Sequence, residues 1–385
     1  MRREDIWEID CARIAPSWEP ISRRSFMGGV GSALIGATLL GGLAGCGDDE
    51  PAGGVAGSSS SGGAPGAGKT IALSLNGFNT YDQDTAEGVL KALQGTEYKL
   101  IGAEAAFDAT KEVNNIKQLI ARRPDGMIIL AASAEGAARG AGEAKRAGIP
   151  VVAQIWFPVS KDVDAAYYAA LQLDTATGGK LVVDYLVEQG VTEGKILEIT
   201  GLDAQPFSEG YKKGLRDALQ AHPGLKVVAS QQGFYTADGA LKVLRPMLSA
   251  HPDAKVILDY AAEMGNAISQ ELERRRIKDI VHITSDGNDA MIPWLKKDGG
   301  AYCKGCRWFS PAEQGIVSVN ILRNKLERDE APTDANLGVE GWTVEQGTSD
   351  PIIVKTRQEL ATAENIDSLP PFGYDEFTSK IPFGA

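Results

Sequence analysis

The stretch KEVNNIKQLIARRPDGMIILAAS, residues 111–133, joins an amphipathic segment to a continuous apolar run. Its first half, residues 111–123, carries apolar residues at helical spacing and predicts a helix. Its second half, residues 125–133, is apolar without alternation, which is typical of a strand buried on both faces. A helix followed by such a strand predicts one unit of a parallel sheet that is covered by helices.

The same alternation of strand and helix continues on both sides of this stretch. Strand-like runs include IALSLN (71–76), YKLIGAE (98–104) and PVVAQIW (150–156), and the pattern restarts near Asp174. GKILEITG, AKVILDY and IVHITSD follow, with helical segments between them. Because one open sheet does not comfortably hold so many strands, the pattern predicts an α/β fold with two doubly wound parallel-sheet lobes.

The composition predicts a packed, acidic protein. Hydrophobic residues make up 43% of the 385 residues, which is enough for a globular core. The formal net charge of −12 argues against nucleic acid or an anionic lipid surface as a partner.

The N-terminal region has the features of an export signal. The run ISRRSFMGGVGSALIGATLLGGLAGC, residues 21–46, places Arg23 and Arg24 before an apolar, Gly-rich segment. Its small residues favour a removable leader, with a transmembrane anchor as the alternative. SRRSFM resembles the twin-arginine export motif and LAGC resembles the lipobox of bacterial lipoproteins. These resemblances imply a signal peptide over residues 1–45, lipidation of Cys46 and a location outside the cytoplasmic membrane, in the periplasm or at the cell surface.

Residues 46–68 form a Gly/Ser-rich stretch that predicts a flexible tether. Its end, GGAPGAGKT (62–70), matches a phosphate-binding loop pattern. That pattern binds phosphate only between a strand and a helix, whereas here a flexible segment precedes it and the strand-like TIALSLNG follows. We therefore interpret the match as accidental and expect no nucleotide and no other cofactor. About 315 residues remain after the tether, enough for two domains.

The cysteines and histidines predict no metal site. Cys303 and Cys306, in CKGC, are expected to form a local disulfide in an oxidising compartment, with two free thiols as the alternative. A redox-active pair would be expected to open a helix soon after a strand, in a cytosolic setting. Zinc needs about four ligands, and the three histidines lie far from these cysteines in sequence.

Aromatic and polar residues follow the predicted strands, at the sheet edges where α/β proteins bind ligands. Flat apolar rings with a few carboxylates and amides suit a small polyol. For Asp286, which follows IVHITS, capping of the next helix is the alternative role. The predicted ligand-binding residues are Asn79, Tyr81, Asp82, Phe107, Asp108, Trp156, Phe207, Glu209, Tyr235, Tyr260, Asp286 and Phe309.

The order of these segments resembles the periplasmic ribose-type sugar-binding proteins of ABC importers. The landmarks are AEGVLKAL, NNIKQLIARRPDGMIIL, AKRAGIPVV, EGYKKGLRDAL, LSAHPDAKVILDYAAEM, HITSDGNDAM and PAEQG. The resemblance implies two lobes joined by three crossovers, with a ligand in the cleft between them. It places lobe one at residues 69–172 plus 309–342 and lobe two at 173–308 plus 343–385.

Carried over by position, the family's ligand-binding residues fall on Asn79, Tyr81, Tyr235 and Asp286. The chain departs from the family at four places, namely Ile155–Trp156, Glu209, Ala261–Ala262 and Phe309, where charged or amide residues are usual. These changes make the pocket less polar than a pentose site. A cyclitol, deoxy sugar, glycoside, nucleoside or aromatic ligand therefore competes with ribose as the expected ligand.

We accordingly predict a lipid-anchored, monomeric substrate-binding protein that delivers a sugar-like molecule to an ABC permease. A ligand sensor for a chemoreceptor or membrane kinase is the alternative, because it would use the same cleft with a different partner. The sequence shows no Ser/His/Asp order and no metal-ligand cluster, so we do not expect an enzyme. A sugar-responsive transcription factor would carry a basic DNA-binding module where this chain has an export signal.

Overall fold

A computed structural model describes residues 6–14, 68–77, 79–155, 158, 160–202 and 206–381. The strands in these ranges are β1 (Trp7–Asp10), β2 (Thr70–Leu75), β3 (Lys99–Glu104), β4 (Gly126–Leu130), β5 (Val151–Gln154), β6 (Ala169–Gln172), β7 (Gly194–Thr200), β8 (Leu225–Gln232), β9 (Ala254–Asp259), β10 (Val281–Thr284), β11 (Gly305–Trp308), β12 (Thr343–Val344), β13 (Ile352–Lys355) and β14 (Glu359–Ala361). The helices are α1 (Thr80–Leu93), α2 (Ala109–Ala121), α3 (Ala134–Arg146), α4 (Lys161–Asp164), α5 (Thr175–Glu188), α6 (Pro206–Leu219), α7 (Ala237–Ala250), α8 (Ala262–Arg275), α9 (Ile292–Lys296) and α10 (Pro311–Arg323).

These strands form two sheets, as predicted. The first has the order β1-β3-β2-β4-β5-β6-β13-β12 and the second the order β14-β11-β10-β9-β7-β8. Pairing is parallel within each sheet except at the outer strands β1, β12 and β14, which pair antiparallel. The inner strands are almost wholly buried, as in Gly126–Leu130, because helices cover both faces. The prediction of two doubly wound lobes is confirmed.

Side-chain caps fix where several helices begin. Asn79, Ser133, Asp174 and Thr236 each precede a helix and accept a hydrogen bond from a backbone N–H of its first turn. Such caps satisfy backbone donors that have no partner within the helix. These caps define where the four helices begin.

The chain crosses between the lobes three times up to β14. The crossings follow β6, β11 and β13. The structure differs from the predicted boundary at residue 342, because Ile352–Lys355 pairs parallel with β6 in the first sheet. Only β14 joins the second sheet, and Phe377 and Ile381 return to the core of lobe one. The predicted assignment of residues 343–385 to lobe two is therefore wrong for these segments.

Part of the predicted leader belongs to the first sheet. Trp7–Asp10 pairs antiparallel with β3, with Trp7 opposite Gly102. A Cβ atom on Gly102 would lie 2.2 Å from Cζ2 of the Trp7 indole, so the ring packs where no side chain intervenes. Cys11 follows and is fully buried. Removal of this segment with residues 1–45 stays a prediction.

A buried ion pair connects two central strands of lobe two. Nε2 of His282 lies 2.8 Å from Oδ2 of Asp259, and both side chains are inaccessible to solvent. The Thr284 hydroxyl donates to the other carboxylate oxygen. Burial alone would lower the pKa of His282. The interactions that raise it, of which the hydrogen bond to the Asp259 carboxylate is the largest, together outweigh this effect, so the pKa of His282 lies above its usual value. The pair fixes the strands that end at the cleft.

Candidate functional site

A cleft of about 310 Å³ lies between the lobes, at the carboxyl ends of both sets of parallel strands. Aromatic residues from both lobes line it. They are Tyr81, Phe107, Phe207, Tyr235, Tyr260 and Phe309. Three carboxylates, from Asp84, Glu263 and Asp286, also line it. Asn76, Asn79, Thr80 and Asn288 add amide and hydroxyl groups. Such a surface can stack on the C–H faces of a small ligand and hydrogen bond to its hydroxyls.

Two of these rings sit on strained backbone. Phe107 and Tyr235 both have a φ of 58°, a left-handed conformation that is uncommon for residues other than glycine and clusters at functional sites. Each ring packs against a glycine just beyond the first long strand of its lobe. A Cβ atom on Gly77 would lie 2.2 Å from the Phe107 ring, and one on Gly201 would lie 1.9 Å from the Tyr235 ring. The two lobes thus position an aromatic residue in the same way.

The Tyr235 ring is also fixed at its polar end. Its hydroxyl lies 2.6 Å from the hydroxyl of Ser208, which is buried on α6. Across the cleft, the rings of Tyr81 and Phe309 have centroids 6.2 Å apart, and the Gln314 amide donates to the Tyr81 hydroxyl. The aromatic walls are therefore held in place without a ligand.

Asp286 lies at the carboxyl end of β10, half-buried in the cleft. Asn288, not Asp286, caps the short helical turn that follows, because its side chain accepts from Ala290 N–H. The alternative capping role for Asp286 is therefore wrong. Desolvation in the cleft, and then the Glu263 carboxylate, raise the pKa of Asp286 to about 7.

Two cleft carboxylates were missed by the sequence analysis. Asp84 lies in the first turns of α1 and is only 8% exposed, while Glu263 lies in the first turn of α8 and is exposed. Burial, and then the neighbouring carboxylates of which Glu87 is the first, raise the pKa of Asp84 to about 8. No sequence signal separates these residues from ordinary acidic residues in the first turns of helices.

The sequence analysis also missed Arg307, which lies fully buried in β11 behind the aromatic wall. Its Nε donates to the Ser285 carbonyl at 2.8 Å and its Nη1 to Gln358 Oε1 at 3.1 Å. The guanidinium carbon is 5.1 Å from the ring centroid of Phe207 and 4.7 Å from that of Phe309, within cation–π range. The sequence signal that would have identified it is an arginine inside a short strand, as in GCRW (residues 305–308), because arginine is rarely buried there without a partner.

Three predicted residues lie away from the cleft surface. Asp82 is buried and accepts from Gly77 N–H, and Asp108 caps α2 by accepting from two backbone N–H groups. Glu209 is exposed on α6 and pairs with Lys212 at 3.3 Å. These carboxylates bind their own backbone or a surface lysine, because each stands beside a helix start. Trp156 lies outside the described residues.

Cys303 and Cys306 are both free and buried, so the predicted disulfide is wrong for this structure. The Cys303 thiol lies 3.4 Å from the Gly305 carbonyl. Cys306, in β11, packs its sulfur next to Gly287 instead. Cys46 lies outside the described residues.

The strand after the accidental phosphate-loop match is confirmed, because β2 begins at Thr70. Lys69 donates from Nζ to the Leu326 carbonyl at 3.0 Å. Within the described ranges, no group of three or more His, Cys, Asp or Glu residues is placed to hold a metal ion. In the same ranges, no helix is long and apolar enough to span a membrane.

Comparison with known proteins identifies the family. A family model described as a periplasmic binding protein domain matches residues 71–330, which is more than half of the chain. The chain belongs to the periplasmic binding protein family. This confirms the resemblance in fold and family that the segment order predicts.

This periplasmic binding protein is 30% identical over 160 residues to the ABC transporter periplasmic-binding protein YphF of Escherichia coli, an alignment covering 40% of this chain and 49% of the relative. It is 25% identical over 166 residues to the ribose import binding protein RbsB of Haemophilus influenzae, covering 42% and 54%. The chain thus spans about half the length of the curated relatives it matches.

The fold also matches solved periplasmic binding proteins. One is an ABC transporter periplasmic solute binding protein from Actinobacillus succinogenes, solved with bound D-allose. It superposes with a TM-score of 0.68 at 19% identity, covering 78% of this chain and all of that one. At this identity the match supports the two-lobe fold and says nothing about the ligand of this chain.

Proposed function

We propose that this protein is the lipid-anchored substrate-binding component of an ABC importer and binds a sugar or sugar-like molecule between its lobes. The observation that carries the proposal is the cleft itself, where both lobes contribute aromatic rings and carboxylates around about 310 Å³. Rings that stack on C–H faces and carboxylates that accept from hydroxyls are the groups a polyol needs. Binding then closes the lobes, and the permease receives the ligand.

The name of one relative supports a sugar as the ligand, since it is a ribose import binding protein. We propose binding rather than catalysis because the family is one of binding proteins. In addition, Asp82 and Asp108 are engaged by backbone N–H groups outside the cleft surface.

A thermal-shift screen of sugars, cyclitols and nucleosides tests this function. A ligand at about 100 times its dissociation constant adds about 2.7 kcal/mol to the unfolding free energy. Phe107→Ala should weaken binding, whereas Phe234→Ala should not. Both aromatics are exposed and have a left-handed φ, of 58° and 57°, but only Phe107 lines the cleft. Equal effects of the two changes, or no hit in the screen, would refute the assignment of this cleft.

The lipid anchor is a separate part of the proposal. Cys46 ends the LAGC motif after the paired arginines Arg23 and Arg24, and thioether-linked lipid there would hold the protein at the membrane. Cys46→Ala should release an unacylated protein from the membrane fraction. Ser60→Ala, a change within the tether, should leave the protein membrane-bound. Retention of the Cys46 variant without acyl chains by mass spectrometry would contradict the anchor.

A further inference from the structure

Within the described ranges, the cleft surface carries ionisable side chains of one charge type, the acidic ones. Asp84, Glu263 and Asp286 line the cleft, whereas no lysine, arginine or histidine does so among the residues that the structure describes. Arg307 is the nearby cation, but it lies behind the aromatic wall and is engaged by the Ser285 carbonyl and by Gln358. The Arg307 guanidinium interacts electrostatically with Asp286, and among the described residues no basic side chain of the cleft surface pairs with the three carboxyl groups.

These carboxylates come from both sides of the cleft. Asp84 lies on α1 of lobe one, and Glu263 and Asp286 lie in lobe two. Asp84 is more than nine-tenths buried, and within the described ranges no hydrogen bond or ion pair compensates its carboxylate. The neighbouring Glu87 is already satisfied by the Tyr374 N–H and two side chains. A buried carboxylate next to like charges is stabilised by a cation in the cleft.

The aromatic walls favour the same kind of ligand. A cation that lies over an aromatic face is attracted by the ring, and cages of such rings are used to recognise ammonium groups. The rings of Tyr81 and Tyr235 line the same cleft as Asp286, whereas Phe207 and Phe309 already have the Arg307 guanidinium within cation–π range. Asn76 Oδ1 is buried without a hydrogen-bond partner among the described residues and is available to a hydroxyl group of the ligand.

We infer that the cleft selects a protonated amine on a hydroxylated carbon skeleton, such as an amino sugar or an amino polyol. The inference rests on the proposed function, because it takes the cleft as the ligand site. It goes further in assigning the charge of the ligand. With a neutral sugar, burial and neighbouring carboxyl groups keep the pKa values of Asp84 and Asp286 raised, whereas an ammonium group of the ligand favours their charged forms and pairs with them.

Matched compounds test the inference by calorimetry on the full chain near neutral pH. The first series is D-glucose, D-glucosamine and N-acetyl-D-glucosamine. The second is D-galactose, D-galactosamine and N-acetyl-D-galactosamine, and the third compares sorbitol with 1-amino-1-deoxysorbitol. We expect at least one amine to bind about tenfold or more tightly than its neutral parent and, where there is one, its N-acetyl form. This preference should shrink when salt rises from about 0.05 M to about 0.5 M.

Neutral parents that bind as tightly as their amines would overturn this inference and leave sugar binding intact. Failure of every compound in all series would overturn the inference, and the proposed function would fall with it only if the thermal-shift screen also gave no hit.

Three amide variants then locate the charge recognition. Asp286→Asn and Asp84→Asn should each reduce the preference for the amine over its parent by about tenfold, while affinity for the parent changes less. Glu263→Gln is a third variant that does not endanger folding, because Glu263 is exposed. Glu188→Gln, an exposed acid at the end of α5, is the matched control and should leave the preference unchanged. A preference that survives all three cleft changes would overturn the inference.

Discussion

Replacing Gly201 with alanine tests whether the aromatic residue of lobe two is positioned by the absence of a side chain beside it. A Cβ atom there would lie 1.9 Å from Cζ of the Tyr235 ring. Non-bonded carbons need about 3.5 Å, so the ring must move by about 1.6 Å. That movement separates the Tyr235 hydroxyl from Ser208, which it contacts at 2.6 Å.

The Gly201→Ala variant should lose stability and affinity together. Overpacking and the lost hydrogen bond should lower the unfolding free energy by about 1–3 kcal/mol. Ligand affinity should fall about tenfold, because the displaced ring no longer forms the cleft wall. Urea unfolding measures the first effect, and calorimetry with a compound identified by the screen measures the second.

Gly142→Ala is the matched control. Gly142 lies inside α3, where the nearest atom to an added Cβ is Nη1 of Arg146 at 3.7 Å. Alanine is the better helix former, so this change should raise the unfolding free energy by about 0.5–1 kcal/mol without affecting binding. If Gly201→Ala behaved like Gly142→Ala in both assays, the contact between Gly201 and Tyr235 would not be what positions the ring.

Three further changes test other parts of the structure. Because burial and neighbouring carboxylates raise the pKa of Asp84 to about 8, the folded ligand-free protein holds this proton more tightly than the unfolded chain, and its unfolding free energy should fall as pH rises from about 4 to about 8. Asp84→Asn should flatten that decline in urea unfolding at several pH values, and an unchanged slope would contradict the pKa assignment. His282→Ala should cost about 3–5 kcal/mol, because it leaves the buried Asp259 carboxylate without its cationic partner; a loss below about 1 kcal/mol in thermal unfolding would show that the pair is dispensable. Lys69→Ala should leave sugar binding unchanged with no ATP binding before or after the change, and ATP affinity that disappears with Lys69 would restore the phosphate-loop interpretation.

The two-lobe fold could be predicted because buried parallel strands are continuous apolar runs. Gly126–Leu130 is such a run, and it forms the inner strand that its pattern predicts. Strands without this pattern were missed. Trp7–Asp10 alternates polar with apolar residues and precedes an export-like motif. Ile352–Lys355 fell in the wrong predicted lobe, because its partner β6 is distant in the chain, with Ile352 opposite Ala169, and sequence pattern alone cannot determine such pairings.

The sequence could predict those residues of the candidate site that directly follow a strand. The aromatic residues followed their strands into the cleft, since rings such as Tyr235 and Phe309 extend far from the backbone. Carboxylates were less predictable, because an aspartate between a strand and a helix can either cap the helix, as Asp108 does, or line the cleft, as Asp286 does. The choice depends on backbone angles that the sequence pattern does not specify.

Strand β1 would distinguish the full chain from a chain cleaved at the predicted site before Cys46. While the leader is attached, Trp7–Asp10 occupies the outer side of β3 and the Trp7 indole covers Gly102. Cleavage before Cys46 would remove that cover and turn residues 99–102 into an open edge with unpaired backbone N–H and C=O groups. Open edges pair readily with strands from other molecules. Self-association measured on the full chain would therefore not describe a chain cleaved before Cys46, in which this edge of β3 is open.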